Sequence, residues 1–334
     1  MLPGMTDGGI GLILYLQNLG NWMNFSMKFF TFLGSENFFL LIAPALYWCI
    51  DASTGLRLGL FLSLNAGLNS ITKILFHSPR PYWVNRQVMA LSTETSFGLP
   101  SGHAQNAVVV WGSLANGIKK RWAWIVAVLL MILIGFSRVY LGVHFPGDVL
   151  AGWLIGFLVL LLFFRLENQA IAFLRKRRLA YQVFIVFSFS IAIIIISIVV
   201  RHSLVSWTVP QQWINNAAAS APDADPIDPL SIAGIISNAA VFFGLASGAL
   251  WLFSRAGFTT DGLWWQLLLR YALGLIGVII LWFGLDQIFP DGKDIMSYSL
   301  RYLRYALVGI WVSGLAPALF VRLGIARPKY PVVS

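Results

Sequence analysis

The chain has 334 residues, of which 58% are apolar and only 11% carry a charge. Soluble domains are typically about 45–50% apolar and about 25% charged, so this composition excludes an ordinary soluble domain and indicates an integral membrane protein. The formal net charge is +10, but the basic residues are scattered singly or confined to short loops between apolar segments. This pattern argues against a nucleic-acid partner and indicates that the positive charge reports membrane topology.

Apolar stretches long enough to cross a membrane, which takes roughly 20 residues, follow one another along the chain. The first, residues 8–34, is interrupted by Asn18, Asn21, Asn24 and Lys28, so it fits a spanning or an interfacial helix, and spanning is favoured. Nine further spans are predicted over residues 36–50, 54–75, 104–118, 121–142, 146–166, 180–200, 230–254, 264–285 and 302–324. No cleavable signal peptide is expected. The one cysteine, Cys49, excludes an intramolecular disulfide and a thiolate metal site.

Loop cations set the orientation of these helices, because cytoplasmic loops carry an excess of Lys and Arg. Basic residues fall at helix ends on one side, within residues 119–121, 175–178 and 322–329. This side is therefore predicted to face the cytoplasm. The opposite side receives the loop 76–103, the turn 142–147, the Ala-, Asp- and Pro-rich stretch 215–229, the acidic loop 286–294 and all four histidines.

Three groups of charged and polar residues meet on this extracytoplasmic side. They are Lys73-x6-Arg80-Pro81, Pro100-Ser101-Gly102-His103 and Ser137-Arg138-x5-His144-x3-Asp148. Taken alone, each group has an ordinary structural explanation: a snorkelling lysine, the start of a helix, and an exposed interfacial pair. Charged groups in membrane helices are costly, however, so the joint occurrence of the three groups points to function.

Together the three groups have the chemistry needed to hold one phosphoryl group. Cationic donors suit phosphate oxygens, and an arginine binds them through two parallel hydrogen bonds. A hydroxyl group and backbone amides at a helix N-terminus also favour an anion. The predicted phosphate-binding residues are Lys73, Arg80, Ser101, Gly102 and Arg138.

A histidine and a carboxylate supply the predicted nucleophile. His144 and Asp148 are four residues apart at the start of a helix, so the carboxylate can lie on the same face as the imidazole and fix its tautomer. His144 then attacks phosphorus, while His103 protonates the leaving oxygen and later activates water. No carboxylate cluster on this face resembles a magnesium site, and no Gly-rich Lys-Ser/Thr loop is present, so we expect neither a metal nor another cofactor.

The three motifs, in this order and with these spacings, resemble the signature of the type 2 phosphatidic acid phosphatase family. The resemblance covers residues 10–166 and implies a core of six helices with an extracytoplasmic site, so that the stretch 8–34 also spans. It implies the same roles as the chemistry: His144 as nucleophile, Asp148 as its orienting acid and His103 as proton donor. The same signature occurs in soluble vanadium haloperoxidases, which the membrane composition argues against, and in glucose-6-phosphatase.

The predicted fold is an all-α polytopic membrane protein with two parts. Residues 1–170 form the six-helix phosphatase core, and residues 171–334 form a C-terminal extension of about four transmembrane helices. Aromatic residues near the ends of the extension are typical of interfacial anchors. They are Trp264, Trp265, Tyr302 and Tyr305. For the extension, a role in packing or in a homodimer is favoured over a groove for lipid tails. His77 and His202 lie outside the signature and are interpreted as interfacial histidines.

The expected activity is the hydrolysis of a lipid phosphate or diphosphate through a phosphohistidine, at the extracytoplasmic face of the cell membrane. Undecaprenyl diphosphate is placed slightly ahead of phosphatidylglycerophosphate and phosphatidic acid, because it suits an external site. Two alternatives stay open. One is a transporter or scaffold without chemistry, and the other is a transferase that passes the phosphoryl group to an acceptor other than water.

Overall fold

The computed structural model describes residues 3–330 and is helical, with no β-strand among those residues. The α-helices in chain order are α1 (Pro3–Asn18), α2 (Asn24–Phe32), α3 (Glu36–Cys49), α4 (Ala52–Phe76), α5 (Pro81–Val84), α6 (Gly102–Ile118), α7 (Arg121–Tyr140), α8 (Pro146–Arg175), α9 (Leu179–His202), α10 (Gln211–Ser220), α11 (Ala233–Phe253), α12 (Trp264–Ile279), α13 (Ile295–Ile310) and α14 (Ala316–Arg322). A π-helical turn continues α12, and another joins α13 to α14. The predicted all-α membrane fold with a C-terminal helical extension is confirmed.

Seven helical stretches in the described part of the chain are long and apolar enough to cross a membrane. They are Ala52–Val84, Arg121–Tyr140, Pro146–Arg175, Leu179–His202, Ala233–Phe253, Trp264–Gly284 and Ile295–Arg322. A further candidate is the pair Asn21–Phe32 and Glu36–Cys49, which passes the same test only when taken together and is bent by 47° at the break between the two helices. α6, the predicted span 104–118, has 17 residues and buries many of them against other helices. A helix packed in protein in this way needs less length than a lone span.

The stretch 8–34, expected to span, does not form one continuous helix. α1 ends at Asn18, and Gly20 takes a φ of 103°, which lies in the left-handed region that only glycine adopts readily. A short 3-10 turn then leads into α2. The break follows from the residues, since the asparagines that interrupt the apolar pattern fall at the helix ends, where their side chains compete for backbone hydrogen bonds.

The chain divides into two compact units that alternate along the sequence. Unit 1 comprises Met1–Phe38, Leu68–Leu162 and Ile196–Ile232, and unit 2 comprises Phe39–Gly67, Phe163–Ile195 and Ala233–Ser334. Helices such as α4 and α8 therefore contribute residues to both units. The predicted boundary between a core ending at residue 170 and an extension beginning at 171 stays a prediction.

The core of unit 1 is built from side chains on many separate segments. Trp83 of α5, Phe97 of the following loop, Tyr140 of α7 and Val149 of α8 are all buried in one apolar cluster. Ala217 of α10 belongs to the same cluster. Burying large apolar side chains stabilises such a cluster by about 1.5–3 kcal/mol for each side chain. The cluster therefore ties together the loops and helix ends that carry the three motifs.

Glycines let α8 approach α6 closely inside unit 1. A Cβ atom at Gly152 would lie 2.6 Å from the carbonyl oxygen of Ser101, and one at Gly156 would lie 2.8 Å from that of Gln105. No side chain fits in these gaps. The approach brings the first turn of α8, with Asp148, against the first turn of α6, where the backbone N–H of Ser101 donates to the carbonyl of Asp148 at 2.9 Å.

Close helix packing and the hydrogen bonds of the buried Arg270 stabilise unit 2. α11 packs against α13, where Gly244 and Gly309 approach backbone to backbone. Arg270 of α12 is fully buried and donates to backbone carbonyls, including those of Thr260, at 2.8 Å, and Ile325, at 2.7 Å. Several carbonyl acceptors satisfy this guanidinium, which gives it a structural role.

Candidate active site

The two cations of the first motif donate to acceptors on one short loop. Lys73 lies in the last turn of α4 and donates from Nζ to Ser96 Oγ at 2.9 Å. Arg80 is fully buried just before α5 and donates from Nε to the Ser96 carbonyl at 2.6 Å and from Nη2 to the Phe97 carbonyl at 2.9 Å. Its Nη1 donates to the Val143 carbonyl at 3.0 Å, in the third motif. The loop residues 96–97 therefore set where both cations lie.

The second motif forms the start of α6. Ser101 is the N-cap of this helix, with an extended backbone and a hydroxyl oxygen that accepts from the N–H of Ala104 at 3.5 Å. Gly102 packs so closely on α4 that an added Cβ would lie 3.0 Å from Asn69 Oδ1. His103 follows in the first turn with 21% of its side chain exposed. The positive end of a 17-residue helix is thus aimed into the site.

Arg138 of the third motif lies near the end of α7 with 1% of its surface exposed. Its Nη1 donates to Thr31 Oγ1 at 2.5 Å, and its Nη2 is hydrogen-bonded to the carboxylate of Glu94. Its Nε, although buried, has no hydrogen-bond partner among the described residues. A buried guanidinium donor without a partner is costly, and it indicates a place for an anion to bind.

His144 and Asp148 form the pair that the spacing predicts. His144 Nδ1 lies 3.3 Å from Asp148 Oδ2, and its Nε2 lies 3.2 Å from Arg80 Nη1. Because the guanidinium is only a donor, Nε2 must be the acceptor, and Nδ1 then carries the hydrogen and donates to the carboxylate. The same Asp148 oxygen also accepts from the N–H of Phe145 at 3.0 Å. Asp148 is therefore fixed against the ring.

Burial and neighbouring charge keep the His144 imidazole neutral. Burial is the larger effect, and the cations Arg80 and Arg138 add to it, so the pKa of His144 lies well below its ordinary value. With the hydrogen on Nδ1, the lone pair of the neutral ring lies on Nε2, which faces the cations. The ring is therefore in the neutral form that the predicted role of His144 requires.

Glu94 is a site residue that the sequence did not single out. Its carboxylate is ion-paired with Arg138, lies 3.9 Å from Arg80 Nη2 and lies 3.9 Å from His103 Nδ1. Burial alone would raise the pKa of Glu94, but Arg80 and Arg138 outweigh it and hold the pKa well below its ordinary range. In the sequence, Glu94 is marked only by its position as an isolated acidic residue between two motifs that carry cations.

The two histidines outside the three motifs differ in their surroundings. His77 has a φ of 34° and stacks edge-on against Trp207, with ring centres 5.6 Å apart, and against Phe97, 6.4 Å apart. His202 is exposed at the end of α9. Across residues 3–330, no group of three or more His, Cys, Asp or Glu side chains is placed to hold a metal ion. The expectation of no cofactor stays a prediction.

All eight predicted site residues thus lie in unit 1. Arg80, His144 and Asp148 are in direct contact, Lys73 joins them through Ser96, and Arg138 joins them through Glu94. A buried His–carboxylate pair among three cations, in a protein of membrane-spanning helices, is the arrangement that a membrane-embedded phosphatase requires.

Comparison with known proteins gives the family. Residues 54–172 match the PAP2 superfamily model, and residues 236–328 match the model described as the transmembrane extension of PAP2 superfamily phosphatases. Phosphatidylglycerophosphatase B of Bacillus subtilis is 33% identical over 160 residues, which are 44% of this chain and 75% of that protein. The chain belongs to the PAP2 superfamily, and the resemblance drawn from its three motifs is confirmed.

Two further relatives differ in how much of the chain they match. An undecaprenyl-diphosphatase of Sulfolobus acidocaldarius is 34% identical over 103 residues, covering 30% of this chain and 49% of that protein. Human glucose-6-phosphatase 2 is 26% identical over 345 residues, covering 91% of this chain and 94% of that protein. The similarity to this second protein therefore includes the C-terminal extension.

Proposed function

We propose that this phosphatase hydrolyses a lipid phosphate or diphosphate through a phosphohistidine formed on His144, without a metal ion, at the extracytoplasmic face of the cell membrane. The observation that carries the proposal is the neutral His144 ring, which is held by Asp148 on one side and presents its Nε2 lone pair to Arg80 on the other. The proposed nucleophile, the acid that orients it and an arginine that would bind phosphate are thus connected by direct contacts.

The phosphoryl group would bind where the cations converge. Lys73, Arg80 and Arg138 would donate to its oxygens, with the amides at the start of α6 and the Ser101 hydroxyl beside them. The unpartnered Nε of Arg138 gives one such donor directly. Hydrogen bonds to charged groups contribute about 1.5–3 kcal/mol each, so a few of them suffice for specific binding of a headgroup.

The chemistry follows from the tautomer of His144. Arg80 Nη1 turns from the ring to a phosphoryl oxygen, and His144 Nε2 attacks phosphorus while the bond to the leaving oxygen breaks. The ring becomes cationic, and Asp148 stabilises it through Nδ1–H. His103 gives its proton to the leaving oxygen. His103 then removes a proton from water, the water oxygen bonds to phosphorus, and the P–N bond breaks to release inorganic phosphate.

Glu94 has two effects in this scheme. Burial and Arg138 lower the pKa of His103, and the Glu94 carboxylate, 3.9 Å from its Nδ1, opposes them in part and so helps that ring to hold the proton it transfers. It also neutralises part of the charge of Arg138 while no phosphate is bound, so a phosphoryl group must compete with it. Tight retention of the phosphate product is thereby avoided.

A lipid substrate is supported by the membrane setting and by the relatives. The Bacillus relative is named for phosphatidylglycerophosphate and the Sulfolobus relative for undecaprenyl diphosphate. We place undecaprenyl diphosphate first, with phosphatidylglycerophosphate and phosphatidic acid as alternatives. The external side is supported by the loop cations at residues 119–121 and 175–178, which lie at the opposite helix ends from the site.

The test is phosphate release by the full chain in detergent with EDTA present. The substrates are undecaprenyl diphosphate, phosphatidylglycerophosphate, phosphatidic acid and, as a soluble comparison, glucose 6-phosphate. We expect release from at least one lipid by the wild type and none by His144→Ala. Equal release by both proteins, or a strict need for magnesium, would contradict the mechanism. No release from any substrate would favour a transporter or scaffold, and a phosphorylated added acceptor would identify a transferase.

A further inference from the structure

The segment between α9 and α11, residues 203–232, is called the connector. It lies outside both regions that match the family models, which end at residue 172 and begin again at residue 236. The sequence suggests only an external loop there. In the structure the connector contains α10 and belongs to unit 1, together with every predicted site residue.

The connector is hydrogen-bonded to the helical turn that follows Arg80. Asn216 of α10 is 3% exposed and donates from Nδ2 to the backbone carbonyl of Trp83 at 2.9 Å. Its Oδ1 accepts from Arg86 Nε at 2.7 Å. Trp213 packs against the Trp83 ring, with ring centres 6.0 Å apart. The α5 turn is thus fixed from the connector side.

The connector also contacts the loop on the other side of Arg80. The N–H of Asp228 donates to the carbonyl of Thr95 at 3.1 Å. Trp207 packs edge-on against Phe97, with ring centres 5.6 Å apart, and against Trp213, 6.0 Å apart. An uninterrupted series of aromatic contacts therefore runs from the loop through the connector to α5.

These contacts reach the residues that hold the two cations of the first motif. Residues 96 and 97 supply the carbonyls that accept from Arg80, and Ser96 Oγ accepts from Lys73. A carbonyl can orient a guanidinium only if the carbonyl itself is fixed in place. Here the loop is fixed by the packing of Trp207 against Phe97 and by the hydrogen bond from Asp228 to Thr95. Preorganised donors are what an active site needs to stabilise developing charge.

We infer that the connector is a working part of the phosphatase site, in which Trp207 and Asn216 are positioning residues for Arg80. Trp207 acts through Phe97, and Asn216 acts through the α5 turn. The inference rests on the proposed function, because it assigns the connector to the same phosphate site. A connector that only links two helices would leave that site unchanged when it is altered.

The experiment compares full-length variants in detergent, with two readouts. One is the equilibrium affinity for inorganic phosphate, and the other is kcat and KM for the fastest substrate of the panel above. The variants are Trp207→Ala, Trp207→Phe and Asn216→Ala. The matched controls are Gln212→Ala, an exposed position on α10, and Trp264→Ala, a tryptophan of α12 that is 77% exposed.

We expect Trp207→Ala and Asn216→Ala to weaken phosphate binding and to lower kcat by about tenfold or more, because small displacements of a phosphate ligand are costly in rate. Trp207→Phe, which keeps a ring against Phe97, should retain most of the activity, and both controls should match the wild type. Unchanged thermal midpoints would separate this loss from unfolding.

Wild-type phosphate affinity and kcat in both alanine variants would overturn the inference, as would a loss that only follows the unfolded fraction. If Trp207→Ala does not fold, the result for Asn216→Ala decides alone. A wild type that neither binds phosphate nor releases it would refute the proposed function. An active wild type with unaffected variants would refute only the role of the connector.

Discussion

At the residue scale, Arg80 joins the parts of the site. Its guanidinium donates to carbonyls of the loop 96–97, to the Val143 carbonyl and to His144 Nε2. In the proposed mechanism, the Nε2 lone pair of His144 is therefore occupied by Arg80 until substrate binds. A phosphoryl oxygen would draw Arg80 away from the ring, because it is a stronger acceptor for a guanidinium than a neutral ring nitrogen.

Replacing Glu94 tests whether a carboxylate occupies part of the phosphate site. In Glu94→Gln the cations lose a competing anion, so inorganic phosphate should bind about tenfold tighter, which corresponds to about 1.4 kcal/mol. Equilibrium binding by calorimetry measures the change. Asp223→Asn removes an exposed acid of the connector and serves as the control. Equal or weaker binding in Glu94→Gln would refute the competition.

The protonation state of His144 gives a pH prediction. Since its pKa is lowered by burial and by Arg80, the ring should stay neutral, with hydrogen on Nδ1, at pH 6. The unfolded chain takes up that proton near its ordinary pKa of about 6.5, so the free energy of unfolding should fall as the pH drops below that value. NMR of the imidazole nitrogens in histidine-labelled protein reports the protonation state directly, and the His144 signals are assigned by their loss in His144→Asn. A protonated ring at pH 6 would contradict the account.

At the element scale, the close approach of α8 to α6 joins the second and third motifs. Gly152→Ala would place a Cβ 2.6 Å from the Ser101 carbonyl, so the helices must separate. Overpacking of this kind costs about 1–3 kcal/mol, and the shift also moves Asp148. We expect a lower thermal midpoint and lower kcat. Gly117→Ala on α6, where a Cβ meets nothing within 4 Å, is the control. Wild-type behaviour of Gly152→Ala would show that the packing is not critical.

Some elements of the fold can be predicted from sequence patterns and others cannot. The helices that carry the three motifs were predicted, because apolar runs of about 20 residues are distinctive. The break at Gly20 was not predicted, since the asparagines around it fit an interrupted helix but also a spanning or an interfacial one. The contacts of the connector were also not predicted. Asn216 and Trp83 are 133 positions apart, and no local pattern records such a contact.

At the scale of the whole molecule, the two compact units alternate along the sequence, but all eight predicted site residues fall within one continuous stretch of unit 1, Leu68–Leu162. The motifs grouped these eight residues because a phosphate site needs several cations and the membrane makes unpaired cations rare; their roles stay a prediction. Glu94 was not predicted as a site residue, because it belongs to no motif and because acidic residues in loops say little about membrane topology.

The predicted orientation is testable by labelling. In a Cys49→Ser background, a cysteine replacing Asp223 of the connector should react with a membrane-impermeant maleimide on intact cells. A cysteine replacing Lys176, between α8 and α9, should react only after the cells are permeabilised. Both positions are exposed. The reverse pattern would place the site on the cytoplasmic side, against the distribution of loop cations.

The most direct test of the central claim is the capture of phosphate on His144. Wild type and His103→Asn are mixed with a lipid substrate labelled in its terminal phosphate, stopped in alkali, digested and sequenced by mass spectrometry. We predict a phosphorylated peptide with the modification on His144. In His103→Asn it should form more slowly, because the leaving oxygen is not protonated, and persist longer, because the base that activates water is missing. Label on another residue, or turnover by wild type without labelled protein in either variant, would contradict the mechanism.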